Sequence, residues 1–288
     1  MSQRSAQPYN VDVGTASTPK SQSILVRTGR YTAELWRRRE FALYLGWGSF
    51  SSKNAGTSLG LIWWVLNPLL LGGVYFLVFG FLFDSRTPEF LVYLIAGMFV
   101  FQFSAQSFSG GAQSILSNAK LLVNVRFPRL VLPIARIVES GIGFLFSLAV
   151  LGFIGLLIGV PVYVGPVWLL LLAVPLQVMF NIGLAALSAR LAVPFRDITN
   201  FLPYLNRIWL YTSPIIWTVD RFDGADATIL TLLKLNPMWH ILAIYRAALL
   251  GSTYEWANLG YFAASTALVF FVGVGLFVKY ERLMVQEL

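Results

Sequence analysis

Cysteine is absent from the 288-residue chain, which excludes disulfides and thiolate metal sites. Histidine occurs once, as His240 beside Trp239 in an apolar stretch, and a lone ring there reads as an interfacial or packed residue rather than a ligand. Charge is scarce, at 12% of residues, and the 13 acidic residues almost all fall outside the long apolar runs. Ion-coupled transporters keep carboxylates inside their spans as relays, so that class is disfavoured. Glu139 comes nearest, and an i,i+3 ion pair with Arg136 at the membrane edge accounts for it. No GxxxxGK[ST] phosphate loop occurs, so ATP-driven work needs a separate chain. Asp223-Gly-Ala-Asp226 reads as a solvated turn, not a metal-carboxylate pair.

What the chain has in abundance is apolar surface. Hydrophobic residues make up 57%, and 23 Phe, 12 Tyr and 9 Trp together outnumber all charged residues. An integral membrane protein follows. The net charge of +8 reads as cytoplasmic loops facing an anionic leaflet rather than as nucleic-acid binding.

Residues 1–28, which begin Ser/Gln/Thr-rich with no apolar run followed by a cleavage pattern, read as a disordered cytoplasmic tail rather than a secretory leader. Residues 29–55 mix Leu35, Trp36, Phe41, Tyr44 and Trp47 with Arg37, Arg38, Arg39 and Glu40, the composition of an interfacial amphipathic helix. Residues 56–288 form the membrane domain. A helix needs about 20 apolar residues to cross a bilayer. Runs of that kind occur at Leu59–Phe83, Phe90–Phe108, Ser140–Gly159, Val167–Ala189 and Leu259–Val278. Ile198–Val219 is expected as a sixth, with Arg207 near its middle. Within the last outer segment, about 228–250, Ile229–Leu235 and Met238–Leu250 are half-spans hinged at Asn236-Pro237. They fit either a re-entrant pair or an outer-surface hairpin.

Six crossings put both termini on one side, and positive residues choose the side. The segment up to Lys53 carries eight Lys/Arg, and the loops around Lys120–Arg136 and Arg190–Arg196 and the C-terminal tail add eight more. The opposite side receives Arg86, Arg221, Lys234 and Arg246. Both termini are therefore expected in the cytoplasm.

Several segments, in order, resemble the membrane subunit of type 2 ABC exporters, specifically the polysaccharide and polyol-phosphate export permeases. Leu59-Gly60-Leu61-Ile62-Trp63 with Asn67-Pro68 is similar to the LGxxW…P pattern before the first span, although Phe50-Ser51-Ser52-Lys53 replaces the more basic stretch common there. Asn118-Ala119-Lys120-Leu121-Leu122, then Arg126-Phe127-Pro128-Arg129 and Pro133, resembles the family's coupling-helix segment and is the most specific match. Physically, the two prolines make a rigid basic elbow at the membrane surface. Phe195-Arg196-Asp197-Ile198, Ser213-Pro214-Ile215-Ile216, Asn236-Pro237 with Tyr245-Arg246, and the closing Phe277–Arg282 stretch add to the resemblance.

The resemblance implies an all-α integral membrane fold of six transmembrane helices with an N-terminal interfacial amphipathic helix, a cytoplasmic coupling helix and two short outer re-entrant helices. It also implies a homodimer in the bacterial inner membrane, bound to two ATP-binding subunits that hold ATP and Mg, with no cofactor on this chain. The cargo it implies is a polyprenyl-pyrophosphate-linked polysaccharide. Lys120, Leu121, Leu122, Arg126, Phe127, Pro128 and Arg129 are the expected ATPase-coupling residues.

Sugar rings stack their C–H faces on aromatics, so Trp63, Tyr75, Phe76, Phe79, Phe99, Phe103, Trp209 and Tyr211 are candidates to line a channel. Aromatics facing lipid or the interfacial belts are the competing account. Arg37, Arg38, Arg39 and Arg207 are the candidate lipid-pyrophosphate contacts. Arg207 equally fits a side chain reaching up to the headgroups. Two other functions share this composition: a type 2 exporter of drugs or other lipids, and a membrane enzyme acting on polyprenyl-linked sugars. The latter needs an acid/base or metal constellation that the scattered cytoplasmic carboxylates do not supply.

Overall fold

The computed structural model describes residues 31, 33–53, 56–82, 87–125, 127–218, 227–281 and 283–285. The expected N-terminal tail, Arg86, Arg126, Arg221 and the Asp223–Asp226 turn lie outside the described residues. Among the described residues every regular element is helical. In chain order these are α1 (Arg39–Ser52), α2 (Trp63–Leu82), α3 (Pro88–Leu116), α4 (Ala119–Asn124), α5 (Val131–Ile158), α6 (Val167–Ala192), α7 (Ile198–Thr212), α8 (Ala227–Lys234), α9 (Pro237–Leu250) and α10 (Trp256–Tyr280). Short 3₁₀ turns at Gly60–Ile62 and Leu283–Val285 complete the order.

Five segments are long and apolar enough to cross a membrane: Gly60–Phe81, Pro88–Leu116, Val131–Ile158, Val167–Ala192 and Trp256–Tyr280. Helices α3, α5 and α6 are longer than the apolar runs expected for them. Gln113 and Arg136 stop a purely apolar stretch, but both residue types are good helix formers and neither stops a helix. The expected span Ile198–Val219 is helical only over Ile198–Thr212. At 1.5 Å per residue its 15 residues reach about 22 Å, less than a bilayer core. Ser213 adopts an extended conformation before Pro214, as the residue preceding a proline prefers, and that ends α7.

Helix α3 is the centre of the bundle. Eighteen of its 29 residues are buried, from Phe90 to Ile115, and α2, α5, α6, α7 and α9 all pack on it. Polar contacts inside the bundle tie it further: Gln177 Nε2 donates to the Val100 carbonyl at 2.9 Å, and Ser188 Oγ to the Phe108 carbonyl at 2.8 Å. Helices α6 and α10 touch backbone to backbone at Gly183 and Gly273, where a Cβ on Gly273 would collide with the Gly183 carbonyl. Glycine is the residue that permits this approach. By contrast α2 keeps Leu70, Leu71, Val74, Leu77 and Phe81 exposed, an apolar flank suited to lipid or another chain.

Helix α1 packs one face on the bundle and leaves the other open. Ala42, Gly46 and Phe50 are buried against α5, with Gly46 tight on the Val138 side chain and the Ala135 carbonyl. Leu43, Tyr44 and Trp47 are exposed on the other side.

The half-helices fold about Asn236-Pro237, as the sequence predicts. Pro237 sits at the first turn of α9, and Asn236 Oδ1 accepts the Met238 N–H at 3.0 Å. Eleven of the 14 residues of α9 are buried, Arg246 and His240 among them. Arg246 therefore corrects the reading that counted it as an outer-loop charge: its guanidinium lies 3.5 Å from the Tyr93 ring centroid, inside the bundle. His240 is packed, as expected, with Nε2 2.8 Å from the Lys234 carbonyl and Nδ1 2.9 Å from Asn258 Oδ1.

Candidate functional site: a basic elbow and an aromatic face

Three separated stretches of sequence converge around α4 and the turn that follows it. Leu122 is buried in a cluster with Ile115, Leu130, Leu132, Phe277 and Met284, and Tyr31, Leu35, Leu121 and Phe127 pack around it. Phe127 meets Phe41 of α1 edge to face at 5.4 Å. Pro128 is buried, while Lys120 is exposed. Arg129 is fastened to the end of α10: its backbone N–H donates to Glu281 Oε1 at 2.7 Å, and its guanidinium donates to the Glu281 carbonyl at 2.7 Å. Burial first, and the neighbouring Glu281 carboxylate second, push the Tyr31 phenol well above its ordinary value, so it stays protonated. The expected coupling residues are thus held in one place, Arg126 excepted because it lies outside the described residues. The tie to Glu281 has no local sequence signal, since 152 positions separate the partners.

The candidate channel aromatics divide into two groups. Phe99 and Phe103 are 2% exposed and sit in the core, where Phe103 stacks on Phe144 at 4.8 Å. Trp209 packs edge-on to Phe101 at 5.3 Å and donates from Nε1 to Asn236 Oδ1 at 2.9 Å. Phe76 leans on Phe90 and Phe79 on Tyr75, both half-buried, as is Trp63. Tyr211 is open on α7, and its hydroxyl lies 3.4 Å from that of Tyr75 on α2.

Asn200, Tyr204, Arg207 and Tyr211 recur every three to four residues along α7 and are all exposed. Tyr204 completes this stripe, although the sequence reading did not single it out; helical spacing from Arg207 and Tyr211 is the signal that finds it. Arg37, Arg38 and Arg39 are exposed at the start of α1 and just before it, with Arg39 donating to the Trp36 carbonyl at 3.2 Å, and they do not meet Arg207 in any contact seen here.

Above the elbow, Glu139 is buried between Arg136 (2.9 Å) and Lys53 (3.4 Å). The i,i+3 pair is the one expected; the contribution of Lys53 from the α1–α2 turn is new. Among the described residues no group of three or more His, Asp or Glu is placed to hold a metal.

Helices α2 to α9, with the α4 elbow among them, lie within residues 42–250, which match the family model described as ABC-2 type transporter. The chain belongs to that family. As an ABC-2 type transporter it is a multi-pass membrane protein, in keeping with its five membrane-length helices. It is 28% identical over 223 residues to an O-antigen export system permease protein RfbA of Klebsiella pneumoniae, covering 77% of this chain and 84% of the relative. It is 29% identical over 221 residues to the protein of the same name from Myxococcus xanthus, covering 76% and 83%.

Proposed function

We propose that this ABC-2 permease exports a polyprenyl-pyrophosphate-linked polysaccharide across the bacterial inner membrane. It works as a homodimer driven by two separate ATP-binding subunits that hold the ATP and Mg. The observation that carries this reading is the exposed face of α7. A charged side chain among aromatics at membrane depth is costly against lipid but tolerable beside water, a second chain or a polar cargo. Tyr204, Arg207 and Tyr211, with Tyr75 across from them, supply rings for sugar faces and a cation for phosphate or hydroxyl groups.

In this reading α7 and the Ser213–Trp217 stretch after it together make the sixth crossing, and α8 and α9 dip into the outer leaflet and return. The depth at which α9 is buried supports the re-entrant form over a surface hairpin. Both termini are cytoplasmic, in accord with the excess of basic residues on that side. ATP-driven closure of the partner subunits pushes the α4 elbow. Because Phe127 leans on Phe41 and Arg129 is tied to Glu281, the push reaches α1 and α10 together. The names of the relatives support a polysaccharide cargo.

Depleting the protein and sizing the polyprenyl-linked glycan left in the membrane fraction tests the proposal. Accumulation of long, finished lipid-linked chains is the expected result. Short or missing chains with nothing trapped would overturn it in favour of an enzyme of glycan assembly.

A further inference from the structure

A cavity of about 440 Å³ lies where the end of α1, the start of α2, the last turns of α3 and the start of α5 meet. Lys53, Gln106, Gln113, Arg136, Glu139 and Ser140 line it, with Trp64 as one wall. Its mouth and floor differ: Lys53 and Gln113 are exposed, whereas Trp64, Glu139 and Ser140 are buried. The cavity therefore opens at the surface and narrows onto the Glu139 carboxylate.

We infer that this cavity is a binding site for a phosphate-bearing anion, and that Glu139 is the resident competitor which such an anion displaces. Two cations converge on one carboxylate, leaving the group with one positive charge in excess. Here the pair borders an open space with amide and hydroxyl groups around it, which are donors for phosphate oxygens.

Lys53 is held between the Glu139 carboxylate at 3.4 Å and the Trp64 ring, its ammonium 4.2 Å above the ring centroid. Arg136 keeps one guanidinium nitrogen on Glu139 and donates another to Ser117 Oγ at 3.2 Å. Ser117 and Asn118 begin the elbow, so an anion that draws Arg136 away from Glu139 acts on the residue from which the elbow hangs.

The phosphate could be the head of the exported lipid or the headgroup of a bulk anionic phospholipid; the chemistry at Lys53 and Arg136 is the same. The exposed apolar flank of α2, with Leu70, Leu71 and Val74, rises from this level and suits an amphiphile in either case. The inference rests on the export reading only for the identity of that carrier.

The test uses the full-length protein in phosphatidylcholine nanodiscs, titrated with a polyprenyl pyrophosphate, with phosphatidylglycerol and with inorganic pyrophosphate. Lys53→Gln should weaken binding of the phosphate probes about tenfold, the effect of one charge-assisted hydrogen bond. Glu139→Gln removes the competitor and should tighten binding severalfold. Opposite signs distinguish a site from a scaffold, since misfolding weakens both variants alike.

Preference for the polyprenyl pyrophosphate over phosphatidylglycerol supports the site with the cargo as its ligand. Equal binding supports it with bulk phospholipid as ligand. Absence of binding by all three probes, unchanged affinity in both variants, or equal weakening in both would overturn the inference. Failure of the export reading shows separately, as no trapped glycan on depletion, and leaves this binding result standing.

Discussion

Arg129 and Glu281, 152 positions apart, grip each other at two points, main chain to side chain and side chain to main chain, both at 2.7 Å. The elbow that follows α4 is thereby anchored to the last turn of α10. Removing the carboxylate in Glu281→Ala leaves the Arg129 N–H without its acceptor, at a cost of about 1–3 kcal/mol for a half-buried, charge-assisted bond. Hydrogen exchange across 119–131 should accelerate in this variant, while the core of α3 keeps its protection.

Asn236 holds four partners: it accepts from Trp209 Nε1 and the Met238 N–H, and donates from Nδ2 to Ser213 Oγ at 2.9 Å and to the Thr212 carbonyl at 3.4 Å. Asn236→Ala should lower stability by about 1–2 kcal/mol for the helix cap alone. Loss of the two side-chain partners adds to this, and thermal unfolding in detergent reads the total. Asn236→Asp keeps the acceptor and should recover most of the loss.

At the Gly183–Gly273 contact, Gly273→Ala places a methyl group against a backbone carbonyl that cannot rotate away. Overpacking of this kind costs about 1–3 kcal/mol. A lowered unfolding temperature is the expected outcome, and Gly275→Ala on the same helix, where no atom lies within 4 Å of the new Cβ, is the control that should stay at the wild-type value.

Arg246→Ala should destabilise the protein strongly, because it empties a buried volume beside Tyr93. Arg246→Met fills that volume without a charge and should be far milder. Comparing the two by thermal unfolding separates packing from electrostatics.

Arg207 is exposed, so Arg207→Gln should leave the unfolding temperature within about 1 °C of wild type, as expected for a surface change worth under 0.5 kcal/mol. Export of lipid-linked glycan should nevertheless fall. Wild-type export by this variant would return Arg207 to a headgroup-reaching role.

Much of the fold was legible because membrane helices must be long and apolar, and because Asn-Pro is a strong local stop and start. The hinge at Asn236-Pro237 and the Arg136–Glu139 pair are local in sequence, so both could be read directly. Arg246 was misread for the converse reason. A charge within a half-helix too short to cross looks like an outer-surface charge until tertiary packing places Tyr93 over it. Lys53 against Glu139 and Arg129 against Glu281 are likewise products of folding, with no periodicity to announce them. Phe99 and Tyr211 are both aromatic and both within apolar runs, yet one is buried on α3 and the other exposed on α7. Their difference is set by which helix occupies the centre of the bundle, and composition does not encode that.

The backbone contact between Gly183 and Gly273 joins α6 and α10 with no side chain in between. Helices α2 and α7 pack chiefly on α3 and meet each other at the hydroxyls of Tyr75 and Tyr211, 3.4 Å apart. The first junction is a weld that one added methyl group would spoil, and the second is a clasp whose parting costs no more than a single weak hydrogen bond, about 1 kcal/mol.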